Sequence, residues 1–389
     1  MSDQQTDTQT SSNNKSQQRK KGLSIFILLL LLISIGSAAY WYLFIKGFEE
    51  TEDAYVSGNQ VMVSAQVAGN IAKINVDNMD PVQAGDVLLE LDDTNAKLSF
   101  EQAKSNLANA VRQVSQLNYT VKQLKSAVRA NEITLAQAQG NLNRRVQLVK
   151  DGAIDKESFQ HAKEAVELAK ANLTTSQNQL GANQALLLDG PLSEQPQIQS
   201  AVSNLKQAWL NLERTKIRSP IKGYVARRNA QVGQAVSVGG ALMAVVTTDQ
   251  MWLDANFKET QLTHMRIGQP AEIHFDLYGK DKTFDGKVVG IEMGTGSAFS
   301  LLPAQNATGN WIKVVQRVPV RIQLDPQQLA ENPLRIGLSA TVKVNVTDSQ
   351  GETLRDQAPA TPLYSTNVLQ YDESAVNNLI ESIIRDNSY

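Results

Sequence analysis

The sequence predicts an elongated, multidomain α+β protein, and three observations carry that expectation. Two long stretches keep apolar residues at alternating spacings of three and four, with a turn of about four residues between them. Segments of period-two alternation flank this pair on both sides, and an uncharged apolar run lies near the N-terminus. The elements expected are therefore a single membrane-spanning helix, a β domain split by a long antiparallel coiled-coil hairpin, and a small antiparallel β-barrel.

Residues 1–22 are rich in Gln, Ser, Asn and Thr and read as a disordered cytoplasmic tail. Leu23 to Ile45 is almost wholly apolar and uncharged, long enough at about 1.5 Å per residue to cross a hydrocarbon core of roughly 30 Å. Tyr40, Trp41, Tyr42 and Phe44 mark its far interface. Lys15, Arg19, Lys20 and Lys21 precede the span, whereas Glu49, Glu50, Glu52 and Asp53 follow soon after it. The positive-inside rule then places the N-terminus in the cytoplasm and the bulk of the chain beyond the inner membrane. A cleavage site at Gly36-Ser37-Ala38-Ala39 competes with this reading, but the apolar run continues through Ile45, longer than a signal-peptide core.

Residues 46–58 are expected to be a linker with the first barrel strand, and residues 59–95 a first half of the split β domain. Val61, Val63, Ala65 and Val67 alternate, as do later short runs at Ile71 to Val76 and Val87 to Leu91. Residues 96–214 form the hairpin. Its outgoing stripe is Phe100, Ala103, Leu107, Ala110, Val114, Leu117, Val121, Leu124 and Val128, interrupted at Asn131 and resumed at Leu135, Ala138 and Leu142. About 50 such residues make a rod of roughly 75 Å. Arg144, Arg145 and Lys150 suit the negative end of this helix, and Gly152 is placed to leave it with positive φ. The turn occupies residues 151–154, after which Asp155 caps a second helix carrying Phe159, Ala162, Val166, Ala169, Leu173, Leu180 and Leu187. A break is expected near residues 189–196, where two prolines intervene and the stripe slips by one position before Ile198, Val202, Leu205, Trp209 and Leu212.

Residues 215–249 repeat the strand, glycine turn and strand of the first β half. Residues 250–348 read as a small antiparallel barrel, with Pro319 on an edge or at a strand start. The tail, 349–389, is polar until Val376, Leu379, Ile380, Ile383 and Ile384 form a short amphipathic stripe expected to pack on the protein itself.

Composition removes several chemistries. With 389 residues and a net charge of −2, no basic excess recommends nucleic acid. The absence of cysteine excludes disulfides, thiolate catalysis and Cys-ligated zinc. The three histidines, His161, His264 and His274, make no metal-binding spacing. No phosphate-binding G-x-x-x-x-G-K-[ST] occurs, and the start of a dinucleotide motif at Gly294 and Gly296 fails at Phe299. No enzyme activity, metal or cofactor is expected.

The two β halves resemble a biotinyl/lipoyl-carrier domain opened where a carrier exposes its modified lysine. Leu91-Asp92-Asp93-Thr94-Asn95 has no lysine there, which argues against a prosthetic group and against a carrier of a multienzyme complex. The order of anchor, split domain, hairpin and barrel is similar to that of membrane fusion proteins, the periplasmic adaptors of efflux pumps and type I secretion systems (HlyD/EmrA family). Thr51 to Val56 (TEDAYV), Asn256 to Thr260 (NFKET) and Gly294 to Val320 sharpen the likeness to the EmrA-type multidrug branch. That resemblance implies an adaptor between an inner-membrane, proton-driven major-facilitator exporter and a TolC-like outer-membrane channel, working as a homo-oligomeric ring, commonly of six copies. An adaptor for polypeptide secretion is the alternative with the same architecture.

The resemblance also implies a channel contact at the hairpin tip. The family's R-x-x-x-L-x-x-x-x-x-x-S pattern is matched at Arg144 and Leu148, with Asp155 in place of the serine, and Gly152, Ala153 and Ile154 form a small apolar turn between. For the exporter, the expected surface is the barrel with Gly294 to Trp311, where Phe299, Ser300, Leu301, Leu302, Asn306 and Trp311 lie in a long segment without regular alternation.

Overall fold

The computed structural model describes residues 23, 26–37, 47–279, 281–296, 298, 315–355, 357–358 and 360–388. In chain order, the first elements are helix α1 (residues 26–37), strands β1 (Phe48–Ser64), β2 (Gly69–Ile74), β3 (Pro81–Val82) and β4 (Val87–Leu91), and the long helix α2 (Thr94–Lys150). Helices α3 (Lys156–Gln184) and α4 (Pro196–Glu213) lead into β5 (Lys216–Arg218), β6 (Gly223–Arg228), β7 (Ala235–Val236) and β8 (Ala241–Lys258). The chain continues through β9 (Pro270–Phe275), β10 (Phe284–Ile291), β11 (Arg317–Leu324), α5 (Pro326–Glu331), β12 (Ser339–Asn345) and α6 (Ser374–Asn387). Residues 26–37 are helical with their large apolar side chains exposed. Among the described residues, no helix is long and apolar enough to cross a membrane. The expected span runs through residues 24–25 and 38–45, which lie outside the described residues, as does the tail 1–22.

The chain divides into two compact units, Met1–Val61 with Val246–Ser365, and Met62–Val245 with Thr366–Tyr389. The division expected at residues 58/59 therefore falls inside β1, which is unbroken for 17 residues.

The first unit is a barrel. Its strands run β1, β12, β9, β10, β11, β8, and β1 also pairs with β8, which closes the sheet on itself. The period-two alternation of these strands points Phe257, Ile273, Phe275, Phe284, Val288, Ile322 and Val342 into one core. Phe275 and Phe284 meet edge to face with centroids 4.9 Å apart. Gly286 lets β10 approach its neighbours, since a Cβ there would lie 2.6 Å from Ile273 Cδ1 and 2.7 Å from Ile322 Cγ2. Pro319 is the third residue of β11, opposite Asn256 of β8. On its other side its carbonyl accepts from Glu292 N at 2.9 Å, just past the end of β10, so the missing N–H falls where that ladder ends.

In the second unit, strands from before and after the hairpin interleave. β4 pairs with β5 from Val87↔Arg218 to Glu90↔Lys216, β2 with β7 at Gly69↔Val236, and β3 with β6 at Pro81↔Tyr224. Val63, Ile71, Leu88 and Leu89 thus share a core with Ile217, Val225 and Met243. Segments 126 (Glu90↔Lys216) to 167 (Gly69↔Val236) residues apart in sequence close one β module, and the hairpin leaves from its Leu91 corner. There the Asp92 carboxylate accepts from Thr94 N at 3.0 Å as the chain turns into α2.

α2 has 57 residues, roughly 85 Å. α3 packs antiparallel on its outer part and α4 on its root. At the seam Asn131 donates to Ser176 Oγ at 2.7 Å, pairing the one polar residue of the outgoing stripe. The returning strand is broken between α3 and α4. α3 ends at Gln184, three residues before Leu187, a 3-10 turn spans Leu192–Glu194, and Pro196 begins α4 at a position where its missing N–H costs nothing. Gln195, buried, stitches the loop by donating to Leu188 O at 2.8 Å and accepting from Leu188 N at 3.0 Å.

Candidate docking site

The hairpin tip is closed by two local devices. α2 ends with Gly152 at φ +69°, Gly152 N donating to Val149 O at 3.1 Å and Ala153 N to Leu148 O at 2.9 Å. This is the Schellman arrangement, in which the left-handed residue satisfies two orphan carbonyls of the last turn. A Cβ at Gly152 would meet nothing within 4 Å, so the backbone angle alone calls for glycine there. α3 then begins on Asp155, whose carboxylate accepts from Ser158 N at 3.2 Å. The Ser158 hydroxyl and N–H, helped by nearby His161, hold the Asp155 carboxyl below its ordinary range.

The structure brings Arg144, Leu148, Gly152, Ala153, Ile154 and Asp155 together at this one end. Leu148 is 41% exposed, Val146 36%, and Ile154 is half-buried. Arg144 is exposed and leans back on Asn141 of its own helix, leaving its remaining donors to solvent. Asp155 is accounted for by capping, so the tip offers exposed apolar side chains, Leu148 among them, the guanidinium groups of Arg144 and Arg145, and a small smooth turn. Such a surface suits close approach by other helices.

The residues expected at the exporter, Phe299, Ser300, Leu301, Leu302, Asn306 and Trp311, lie outside the described residues. Next to them in sequence the structure shows an arrangement that strand patterns did not reveal. Thr51 and Asp53 of β1, Asn256 of β8 and Arg317 of β11 meet in the barrel unit. Thr51 Oγ1 donates to Asn256 O at 2.9 Å, and Asn256 Nδ2 donates to Asp53 Oδ1 at 3.2 Å. Arg317 Nη1 also donates to Asn256 O at 2.9 Å and lies 3.4 Å from Asp53 Oδ2. Each of the three stretches TEDAYV, NFKET and Gly294 to Val320 supplies a member. They border an open polar cleft of about 540 Å³, lined also by Glu50, Glu52, Tyr55, Lys258 and Gln261. The network holds Arg317, the first residue of β11, against β1 and β8. Among the described residues, no group of three or more His, Asp or Glu is placed to hold a metal.

Residues 94–215 match the EMRA alpha-helical hairpin domain, and residues 250–345 match the AAEA-like beta-barrel domain. The chain is 77% identical over 357 residues to the multidrug export protein EmrA of Haemophilus influenzae, with 92% of each chain covered. It is 50% identical over 355 residues to EmrA of Escherichia coli, covering 91% of each. To the fatty acid resistance protein FarA of Neisseria gonorrhoeae it is 48% identical over 336 residues, or 86% of this chain and 84% of that one. Among solved structures, that of a periplasmic adaptor protein EmrA aligns at 20% identity and a TM-score of 0.41, covering 77% of this chain and 98% of that one. Identity of this extent over nearly the whole length places the chain in the EmrA family of multidrug export proteins.

Proposed function

We propose that the chain is the non-enzymatic adaptor of a tripartite drug efflux pump, joining an inner-membrane major-facilitator exporter to a TolC-like outer-membrane channel. Leu23 to Ile45 anchors it as a single span with the N-terminus in the cytoplasm, and the remainder works in the periplasm. Copies assemble as a ring, six being the number the resemblance implies. The β module acts as a lipoyl-like collar from which the hairpin projects, and it carries no prosthetic group.

The observation that supports this reading most is the tip. A helix of 57 residues has most of its length committed to presenting one small, solvent-facing turn, and a rod that buries so little around its end gains nothing in folding from it. At that turn Leu148 supplies an apolar anchor, Arg144 a charged one, and Gly152-Ala153-Ile154 the close approach, while Asp155 serves the helix start. The barrel, together with Gly294 to Trp311, takes the exporter.

Purification of the full chain from membranes tests the proposal. Co-recovery of a multi-span exporter without nucleotide-binding motifs, together with drug resistance conferred in a sensitive host, is the expected result. Recovery of an exporter with ATPase domains would instead point to polypeptide secretion, and a soluble mature protein beginning near Ala39 or Tyr40 would overturn the anchor.

A further inference from the structure

Over its root, α2 buries two faces. The first is the stripe Ala103, Leu107, Ala110 and Val114; the second adds Val111, fully buried, and Ser115, with Lys104 and Ala108 half-buried beside them. Spacings of four, three and four residues place Lys104, Ala108, Val111 and Ser115 on one side of the helix. Farther out this side is bare, for Lys122, Lys125 and Arg129 are all exposed.

α6 packs on both α2 and α4. Its Val376 and Ile380 are buried in the same core as Leu107, Val111, Ile198 and Leu205. Both ends of α6 are tied to the hairpin root: Lys206 Nζ lies 2.8 Å from Glu373, and Arg112 Nη1 donates to Asn387 Oδ1 at 2.6 Å. The segment just before α6 holds the β module. Thr366 Oγ1 donates to Pro220 O at 2.6 Å, the Tyr371 hydroxyl reaches Gln66 Oε1 at 3.4 Å, and the Tyr371 ring meets Trp209 of α4 edge-on at 6.2 Å.

We propose that this C-terminal segment, Thr366 to Asn387, is the positioning element of the hairpin. It makes the root a three-helix bundle fastened to the β module and leaves bending to the joint at Ala185–Gln195, where the returning arm is not α-helical. Leverage gives the device its value: from Lys104 to Lys150 is roughly 70 Å, so each degree of tilt at the root moves the tip by about 1.2 Å. Its use in docking rests on the adaptor reading above; the mechanical claim does not.

The chain has no cysteine, so two can be introduced for spin labels. Lys222→Cys marks the β module and Gln123→Cys marks α2 beyond the root, both at exposed positions. In the otherwise intact chain the label distance should be narrowly distributed. Ending the chain after Ser365 should at least double the width and raise amide exchange over residues 103–114 at least tenfold, leaving residues 162–169 unchanged. A peptide of residues 366–389 added in trans should reverse both effects. If the shortened chain does not fold, the deciding variant is Ile380→Ala in the full chain, which should broaden the distribution and raise root exchange about threefold. An unchanged width in that variant overturns the proposal. A chain loosened as stated that still confers full drug resistance overturns the positioning role while leaving the adaptor reading intact.

Discussion

Leu148→Glu separates docking from folding. In the free chain Leu148 is 41% exposed at the end of a rod, so its loss removes little burial and leaves the Leu148 carbonyl bond to Ala153 N in place. The cost to stability is about 0.5 kcal/mol, as for a surface substitution. In the docked state the remaining exposed part of the side chain would be covered, worth about 0.6–1.2 kcal/mol, and the variant carboxylate would in addition be left desolvated and unpaired, which costs more than the roughly 2 kcal/mol of an unpaired neutral polar group. A loss of at least about 2.8 kcal/mol per tip is a hundredfold in affinity, and it compounds when several tips engage together. The assay compares drug resistance in a sensitive host with the thermal unfolding and exporter binding of the purified protein. Resistance should fall to that of the empty host while the other two stay unchanged. Resistance retained at the level of the parent chain would mean that Leu148 is not covered by a partner.

Gly152→Val should cost about 1–2 kcal/mol of local stability, because φ +69° suits glycine and no neighbour supplies a steric penalty; faster amide exchange at residues 152–153 is the measurement. Gly286→Ala should strain the barrel by about 1–3 kcal/mol through contacts of 2.6 and 2.7 Å and lower its unfolding temperature by roughly 4–8 °C for each kcal/mol lost, with the hairpin unaffected. Asp155, whose carboxyl is held below its ordinary value of 3.8, contributes its cap fully above that value and loses it as pH falls through the lower folded value. Exchange at residues 156–159 should therefore rise only below about pH 4, and Asp155→Asn, which caps without titrating, should abolish that pH dependence.

The parts that could be read from sequence are those written in local periodicity. The stripe from Ala103 to Val121 is buried except for half-buried Leu117, and the tip shows its glycine and capping aspartate in the letters themselves. The second face of α2 left only Ala108 and Val111 as apolar residues off the stripe, too few to read as a face. Its burial depends on α6, about 270 residues later, and contacts that remote leave no spacing to detect. The meeting of Thr51, Asp53, Asn256 and Arg317 was hidden for a related reason, since it depends on which strands are neighbours and in what register. Within β1 the buried positions change parity, from Ala54 and Val56 in the barrel core to Val63 in that of the β module, and only the strands each half pairs with show which core it serves. The end of α3 at Gln184 came early for a local reason. The helix yields before Pro191, and Leu187 still reaches the root core from the loop.

Contact between the hairpin tip and an outer-membrane channel is tested most directly by a photo-crosslinking residue at Ala153, which is exposed and contributes only its backbone to the turn. The full chain carrying it is expressed in cells and irradiated in place. The expected product is an adduct with an outer-membrane channel protein, lost when Leu148→Glu is added. Adducts only with the exporter or with other copies of this chain would contradict the assignment of the tip to the channel.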